Sequence, residues 1–264
     1  REDGTRLHAV SRGSGAPIVL AHGFAVDSDE WNVIGDDLVR RGFRIIAFDQ
    51  RGHSRSTIGS DGVGSREMAG DFAAVLEHYD VHDAVLVAHS MGGFLAIRFL
   101  VEHPGIVRDR IKALMLIATF AGDVNRRNPQ NRAQIPLIKS GLLARAVKGD
   151  FFGMPFARTL IGESKDPGMA RAFLASFRRQ NLVALAPILE AMIAESRYDR
   201  LGEIDLPCTI AIGTKDKTTP PFHTDDLHRG IRGSKVVRYP GLGHMLNWEA
   251  SGQLADEIEA LATA

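Results

Sequence analysis

The sequence holds one cysteine, Cys208, among 264 residues. A lone thiol excludes an intrachain disulfide and any metal site built on paired cysteines. Cys208 opens a short apolar run that reads as a buried strand, so it is expected to be a small core side chain rather than a nucleophile. No apolar run approaches the roughly 18 residues of a membrane-spanning helix. There is no H-E-x-x-H and no paired Cys/His spacing, and neither a metal nor a cofactor is expected. An excess of one charge is also missing: 32 Lys and Arg balance 32 Asp and Glu. Nothing global therefore points to nucleic acid as a partner. The chain opens Arg1-Glu2-Asp3-Gly4 without an apolar signal stretch, and a cytoplasmic location is expected. What is present, 44% hydrophobic and 24% charged, suits one large α/β domain carrying an insertion.

The most informative stretch is Val85-Leu86-Val87-Ala88-His89-Ser90-Met91-Gly92-Gly93. Val85 to Val87 is β-rich and apolar, as in a central parallel strand. From Phe94 the pattern turns helical and ends before Pro104. Ser90 lies at the junction, with Ala88 two residues before it and Gly92 two after. This is the layout of a nucleophile elbow, G-x-S-x-G, with Ala in place of the first Gly. Taken alone, the same residues fit a serine that merely caps a helix.

The rest of the chain alternates strands and helices. Strands are predicted at Thr5 to Val10, Ile18 to Ala21, Phe43 to Phe48, Ile111 to Ala118, Cys208 to Ile212 and Ser234 to Tyr239. Helices are predicted from Asp27 to about Arg41, from Ser65 through Leu76, from Pro221 to Ile231, and from Trp248 to the C-terminus. That rhythm implies a mostly parallel sheet with helices on both faces. Residues 120–200 break it: they read as helical fragments interrupted by Pro129, Pro136, Pro155, Pro167 and Pro187. The expected organisation is a core of residues 1–119 and 201–264, with 120–200 inserted as a helical cap. Residues 121–200 hold 13 Lys or Arg against 7 Asp or Glu, so the remainder is correspondingly acidic. Arg126, Arg127, Arg178 and Arg179 belong to that excess, which would face an anionic substrate, a lipid surface or simply solvent.

In such a sheet, functional groups collect where strands end at their carboxyl side. There the sequence places His22-Gly23-Phe24, Asp49-Gln50-Arg51-Gly52-His53-Ser54, His89-Ser90-Met91-Gly92-Gly93, Gly213-Thr214-Lys215-Asp216 and Gly243-His244. A serine, an acid and a histidine follow one another in that order. In these five features the chain resembles the α/β-hydrolase superfamily, over nearly its whole length except the insertion.

The resemblance implies an α/β-hydrolase fold with Ser90 as nucleophile, Asp216 as acid and His244 as base. It also implies an oxyanion hole formed by the backbone N–H groups of Met91 and Phe24. Asp123, after the strand ending near Ala118, is the competing acid. His22, His53 and His89 are expected to be hydrogen-bonding residues of the loops and elbow. Asp49 and Arg51 are expected to tie their loop down by hydrogen bonds and a charge pair. Phe151, Phe152, Phe156, Leu137, Ile138, Leu142, Leu143, Phe173, Leu174, Phe177 and Met192 would pack the cap or line the space above Ser90, giving the substrate an apolar group. The implied activity is hydrolysis of carboxylic esters, with lactones and monoacylglycerols in the same class. Ser90 excludes relatives with an aspartate nucleophile at the elbow. The same elbow resembles those of cofactor-free perhydrolases and of carbon–carbon bond hydrolases, and a receptor retaining the triad is a further alternative.

Overall fold

The computed structural model describes residues 1–126, 134–164 and 166–264, with side chains described from residue 136 in the second stretch. Arg127 and Pro129 lie outside the described residues. Seven strands form one sheet: β1 (Ala9–Arg12), β2 (Pro17–Ala21), β3 (Arg44–Phe48), β4 (Ala84–His89), β5 (Ile111–Ile117), β6 (Cys208–Gly213) and β7 (Lys235–Tyr239). Their order is β1-β3-β2-β4-β5-β6-β7. Only the edge strand β1 runs antiparallel to its neighbour.

The helices alternate with these strands. The first four are α1 (Asn32–Arg40), α2 (Ser65–His78), α3 (Met91–Glu102) and α4 (Pro104–Arg110). Between β5 and β6 stand α5 (Gln134–Lys139), α6 (Leu142–Ala146), α7 (Asp150–Arg158), α8 (Pro167–Phe177) and α9 (Ala186–Ala194). The chain ends with α10 (Pro221–Gly230), α11 (Leu246–Glu249) and α12 (Ser251–Thr263).

The position of β4 follows from its side chains, all of them buried. Successive strand residues point to opposite faces, so an unbroken apolar run needs cover on both. Leu86 and Ala88 pack with Phe72 of α2 and with Phe94 and Phe99 of α3. Val85 and Val87 pack with Ile34 and Leu38 of α1 and with Leu254 and Ile258 of α12. Residue 90 is thereby delivered to the middle of the sheet's carboxyl edge.

Several elements differ from expectation. The strand expected at Thr5 to Val10 lies at Ala9–Arg12, because pairing with β3, from Ala9 opposite Phe48 to Arg12 opposite Ile45, sets its ends. Thr5 instead gives its N–H and hydroxyl to the Asp3 carboxylate, at 3.0 and 2.8 Å. The helix expected from Asp27 divides into a 3₁₀ turn, Ser28–Trp31, and α1. Pro104, read as a stop, also opens α4, where its missing N–H costs nothing. The last helix is divided between α11 and α12.

Among the described residues between β5 and β6 there is no strand, only one isolated bridge between Gly122 and Ser196. Phe173, Leu174 and Phe177 of α8 form a core cluster with Val26 and Met245, which follow β2 and β7. Charge adds to this attachment. Arg179 reaches the buried Asp27 at 2.7 Å, and Arg126 pairs with Asp226 of α10. Arg178 pairs locally with Asp150, at 2.9 Å. Two of the expected surface arginines therefore meet acids of the sheet-bearing part of the chain.

Candidate active site

Ser90 sits between β4 and α3 with φ 51° and ψ −117°. A non-glycine residue rarely adopts such a backbone, and it persists only where its surroundings hold it. Here the Ser90 N–H donates to Ile117 O at 2.9 Å. The Ser90 carbonyl accepts from Thr119 Oγ1 at 2.6 Å and from the N–H groups of Gly93 and Phe94. Ala88 keeps ordinary strand register, opposite Ala21 on one side and Leu116 on the other, so its methyl group fits. The tight approach falls at Gly92 instead. A Cβ there would lie 2.5 Å from Ala21 O and 2.7 Å from His22 O. A Cβ on Gly23 would stand 3.0 Å from His89 Nδ1.

His244 follows β7, and Asp216 lies in the turn after β6. His244 Nε2 is 3.0 Å from Ser90 Oγ, and Nδ1 is 2.8 Å from Asp216 Oδ2. All three residues are buried. The Asp216 carboxylate accepts the N–H groups of Thr218 and Thr219 at 2.8 and 2.9 Å, and the Thr219 hydroxyl at 2.8 Å. These donors fix its orientation. The His244 N–H donates to Leu160 O at 2.8 Å. Glu249 accepts the N–H groups of Gly243 and Gly162, at 2.9 and 2.7 Å. Burial raises the pKa of that carboxyl, against the two donors. Among the described residues Asp123 makes no hydrogen bond to His244 and its buried Oδ1 has no partner.

His89 and Glu30 join the elbow to the loop after β2. His89 Nε2 lies 3.1 Å from His244 O, and Nδ1 lies 3.3 Å from Glu30 Oε2. The other Glu30 oxygen accepts the Gly23 N–H at 3.2 Å. Burial disfavours the imidazolium of His89, but the Glu30 carboxylate outweighs it and raises the pKa. Glu30 was legible only as the acidic start of a helix. Its D-x-x-E spacing from Asp27 is a capping signal, and nothing local shows that the tertiary fold turns it inward against His89.

The remaining histidines hold loops. His22 Nε2 accepts the Gln50 N–H at 2.8 Å, so Nδ1 carries the proton and donates to Gly23 O at 2.7 Å. His53 Nε2 accepts the Ala25 N–H at 3.3 Å, and Nδ1 donates to Arg51 O at 3.2 Å. Burial, with His22 nearby, pushes the His53 pKa down to about 3. Asp49 and Arg51 do tie their loop, but not to each other. Asp49 pairs with Arg55 at 2.7 Å, and Arg51 with Asp71 at 2.9 Å. Cys208 is buried, as expected, and burial pushes its thiol up to about 12.

Phe24 and Met91 flank Ser90. The Met91 N–H belongs to the first turn of α3, where backbone donors lack intrahelical acceptors. The Phe24 N–H makes no hydrogen bond among the described residues. A cavity of about 130 Å³ opens over Ser90 and His244, walled by Phe24, Phe156, Phe173 and Phe177. A second, of about 100 Å³, meets it at Ser90 and runs beside Phe120, Asn125 and Met192. Ile138 borders both. Leu143 also lines the first, whereas Phe151 and Phe152 are 83% and 63% exposed and line neither. Leu137 and Leu142 are likewise exposed. Among the described residues no group of three or more His, Cys, Asp or Glu could hold a metal ion, and no helix is long and apolar enough to cross a membrane.

Geometry of this kind can be compared with known proteins. A non-heme chloroperoxidase of Burkholderia pyrrocinia is 37% identical over 242 residues, covering 86% of this chain and 84% of its own. A non-heme haloperoxidase of Rhodococcus erythropolis is 28% identical over 260 residues, covering 92% and 90%. The solved structure of an esterase from Exiguobacterium antarcticum has the same fold: the TM-score is 0.88 at 21% identity, covering 99% of this chain and 97% of that one. The family profile described as alpha/beta hydrolase fold matches residues 16–251. The chain belongs to the α/β-hydrolase family.

Proposed function

We propose that the protein is a cofactor-independent serine hydrolase that cleaves carboxylic esters carrying an apolar group, lactones and monoacylglycerols included, with the helices of residues 120–200 as its cap. The reading rests on one observation: a hydrogen-bonded relay from Ser90 through His244 to Asp216, at 3.0 and 2.8 Å, opening into a mostly apolar cavity.

A serine hydroxyl is a poor nucleophile near neutral pH. In this mechanism His244 Nε2 takes the Ser90 proton as Oγ attacks the carbonyl carbon. Asp216 keeps the Nδ1–H in place and stabilises the imidazolium as it forms. The N–H groups of Phe24 and Met91 receive the developing oxyanion. Collapse breaks the ester C–O bond, and the leaving alkoxide takes the proton from His244. Water then attacks the acyl-enzyme by the same route, releasing the acid and restoring Ser90. In a lactone the alcohol stays attached to the acid.

The relatives named as non-heme peroxidases favour a second reading, in which hydrogen peroxide replaces that water. Its attack on the acyl-enzyme gives a peracid and free Ser90, with no change in proton balance. One experiment separates the two: esters of graded acyl length, with and without peroxide, on wild type and Ser90→Ala. Wild type should hydrolyse esters and be labelled by a fluorophosphonate, and Ser90→Ala should do neither. Labelling or full turnover in Ser90→Ala would overturn the mechanism. Peracid release exceeding ester hydrolysis would favour the second reading.

A further inference from the structure

The second cavity contains an anomaly that ester hydrolysis does not require. Asn125 is 3% exposed, and among the described residues neither its Oδ1 nor its Nδ2 has a hydrogen-bond partner. A buried amide normally pairs both groups, because each gives up water when it is buried. The lining around it is mostly apolar, with Phe120, Val124, Met192 and Ile193, and the hydroxyls of Ser90, Thr218 and Thr219 on the same lining do not bond the amide. Leucine has the same branched outline, though a larger volume, and would fill the position without that desolvation cost.

The amide is also held on a fixed backbone. The Val124 N–H donates to Met192 O at 3.1 Å, the Asp123 N–H to Glu195 O at 2.8 Å and the Arg126 N–H to Asp123 O at 2.8 Å. On its other side the Arg126 guanidinium lies 4.3 Å from the Tyr198 ring centre. Asn125 is thus an unpaired donor and acceptor on a rigid wall of a cavity that reaches Ser90. The first cavity has no such group. Its polar lining consists of the reacting residues and their neighbours, with Thr159 and Thr218.

We propose that Asn125 is a specificity-determining residue, and that the limb of the ester entering the second cavity carries a hydroxyl group, which gives its proton to Oδ1 and accepts one from Nδ2. The two limbs of the substrate would then differ, the limb in the second cavity carrying the hydroxyl group. The proposal rests on the reading of Ser90 as nucleophile. A site that hydrogen-bonds a substrate hydroxyl discriminates against the analogue lacking it far more strongly than an apolar wall discriminates by size.

The test uses two matched pairs: n-butyl acetate against its terminally hydroxylated counterpart, and methyl hexanoate against methyl β-hydroxyhexanoate. In wild type, kcat/KM should favour the hydroxylated ester of one pair by about tenfold or more. Asn125→Leu should bring that ratio to within about twofold and not lower Tm. If the leucine variant does not fold, Asn125→Ala replaces it. A ratio within about twofold for both pairs in wild type, or one retained in the variant, overturns the proposal and leaves water as the partner of Asn125. If wild type hydrolyses neither ester of a pair, the failure belongs to the hydrolase reading. The same ratios are then read as Kd by calorimetry on Ser90→Ala and on Ser90→Ala with Asn125→Leu, with the same criteria.

Discussion

Asp216 Oδ2 lies 2.8 Å from His244 Nδ1, and the Thr219 hydroxyl, donating to the same oxygen, stands 3.3 Å from that nitrogen. The carboxylate is the one group of the three that can only accept, so it decides which imidazole nitrogen carries the proton. In Asp216→Asn an amide N–H facing Nδ1 would leave the proton on Nε2, where it cannot accept one from Ser90. Turnover should fall by about 10⁴-fold with the fold intact. Asp123→Asn should change kcat by less than about threefold, because Asp123 does not bond His244. Steady-state kinetics on both variants, with circular dichroism as a control, checks this. The reverse order would assign the acid to Asp123.

At the elbow, the sequence pattern and the steric demand fall at different residues. Gly92→Ala would place a methyl group 2.5 Å from Ala21 O, which is backbone and cannot turn aside. It should cost about 1–3 kcal/mol in urea unfolding and lower kcat, since β2 leads into the Phe24 loop. Ala88→Gly restores the usual pattern letter yet should destabilise by about 0.5–1 kcal/mol. It should bring no gain in kcat, because Ala88 already sits in relaxed strand register. An Ala88→Gly enzyme that is faster and no less stable would show that the methyl group does obstruct the elbow.

Acid sensitivity should come from buried neutral histidines. His53 has its pKa lowered from 6.5 to about 3, and His223, buried and near Arg126, from 6.5 to about 4. Both bind a proton more readily unfolded than folded. Their contribution is complete above pH 6.5 and is lost as pH falls, by about 1.4 kcal/mol per pH unit for each group between roughly pH 6.5 and 4. His89 is shifted the other way, so its contribution is complete below pH 6.5 and fades above it. Asp3, held down to about 2, acts only below the ordinary carboxylate range. Urea titrations across pH 4–7 should show that slope, and His53→Gln should remove about half of it. An unchanged slope would assign the acid sensitivity to other groups.

The strand ends and the serine, acid and histidine behind them were legible because buried parallel strands are short apolar runs, and the loops that carry these residues follow them directly. Other features lay beyond local pattern. β1 is an edge strand whose ends are set by β3, not by the alternation of its own residues. Arg51 meets Asp71, twenty positions away, rather than the nearer Asp49, and only the packing of α2 decides that. Glu30 and Asn125 are polar letters in polar surroundings. What distinguishes them, inward burial against His89 and an amide unpaired among the described residues in a cavity that reaches Ser90, exists only once β2, β4 and the helices after β5 are assembled.

Glu30 carries a mechanical consequence. One oxygen of its carboxylate receives the Gly23 N–H and the other faces His89, next to Ser90. The loop that supplies the Phe24 N–H and the turn that supplies Ser90 are therefore both tied to a single planar group, in addition to the pairing of β2 with β4. Such a shared tie would couple thermal displacements of the two sides, a drift of one drawing the other with it. The separation between nucleophile and oxyanion donor can then stay narrowly distributed even where both positions fluctuate, and that separation is the coordinate on which the proposed chemistry depends.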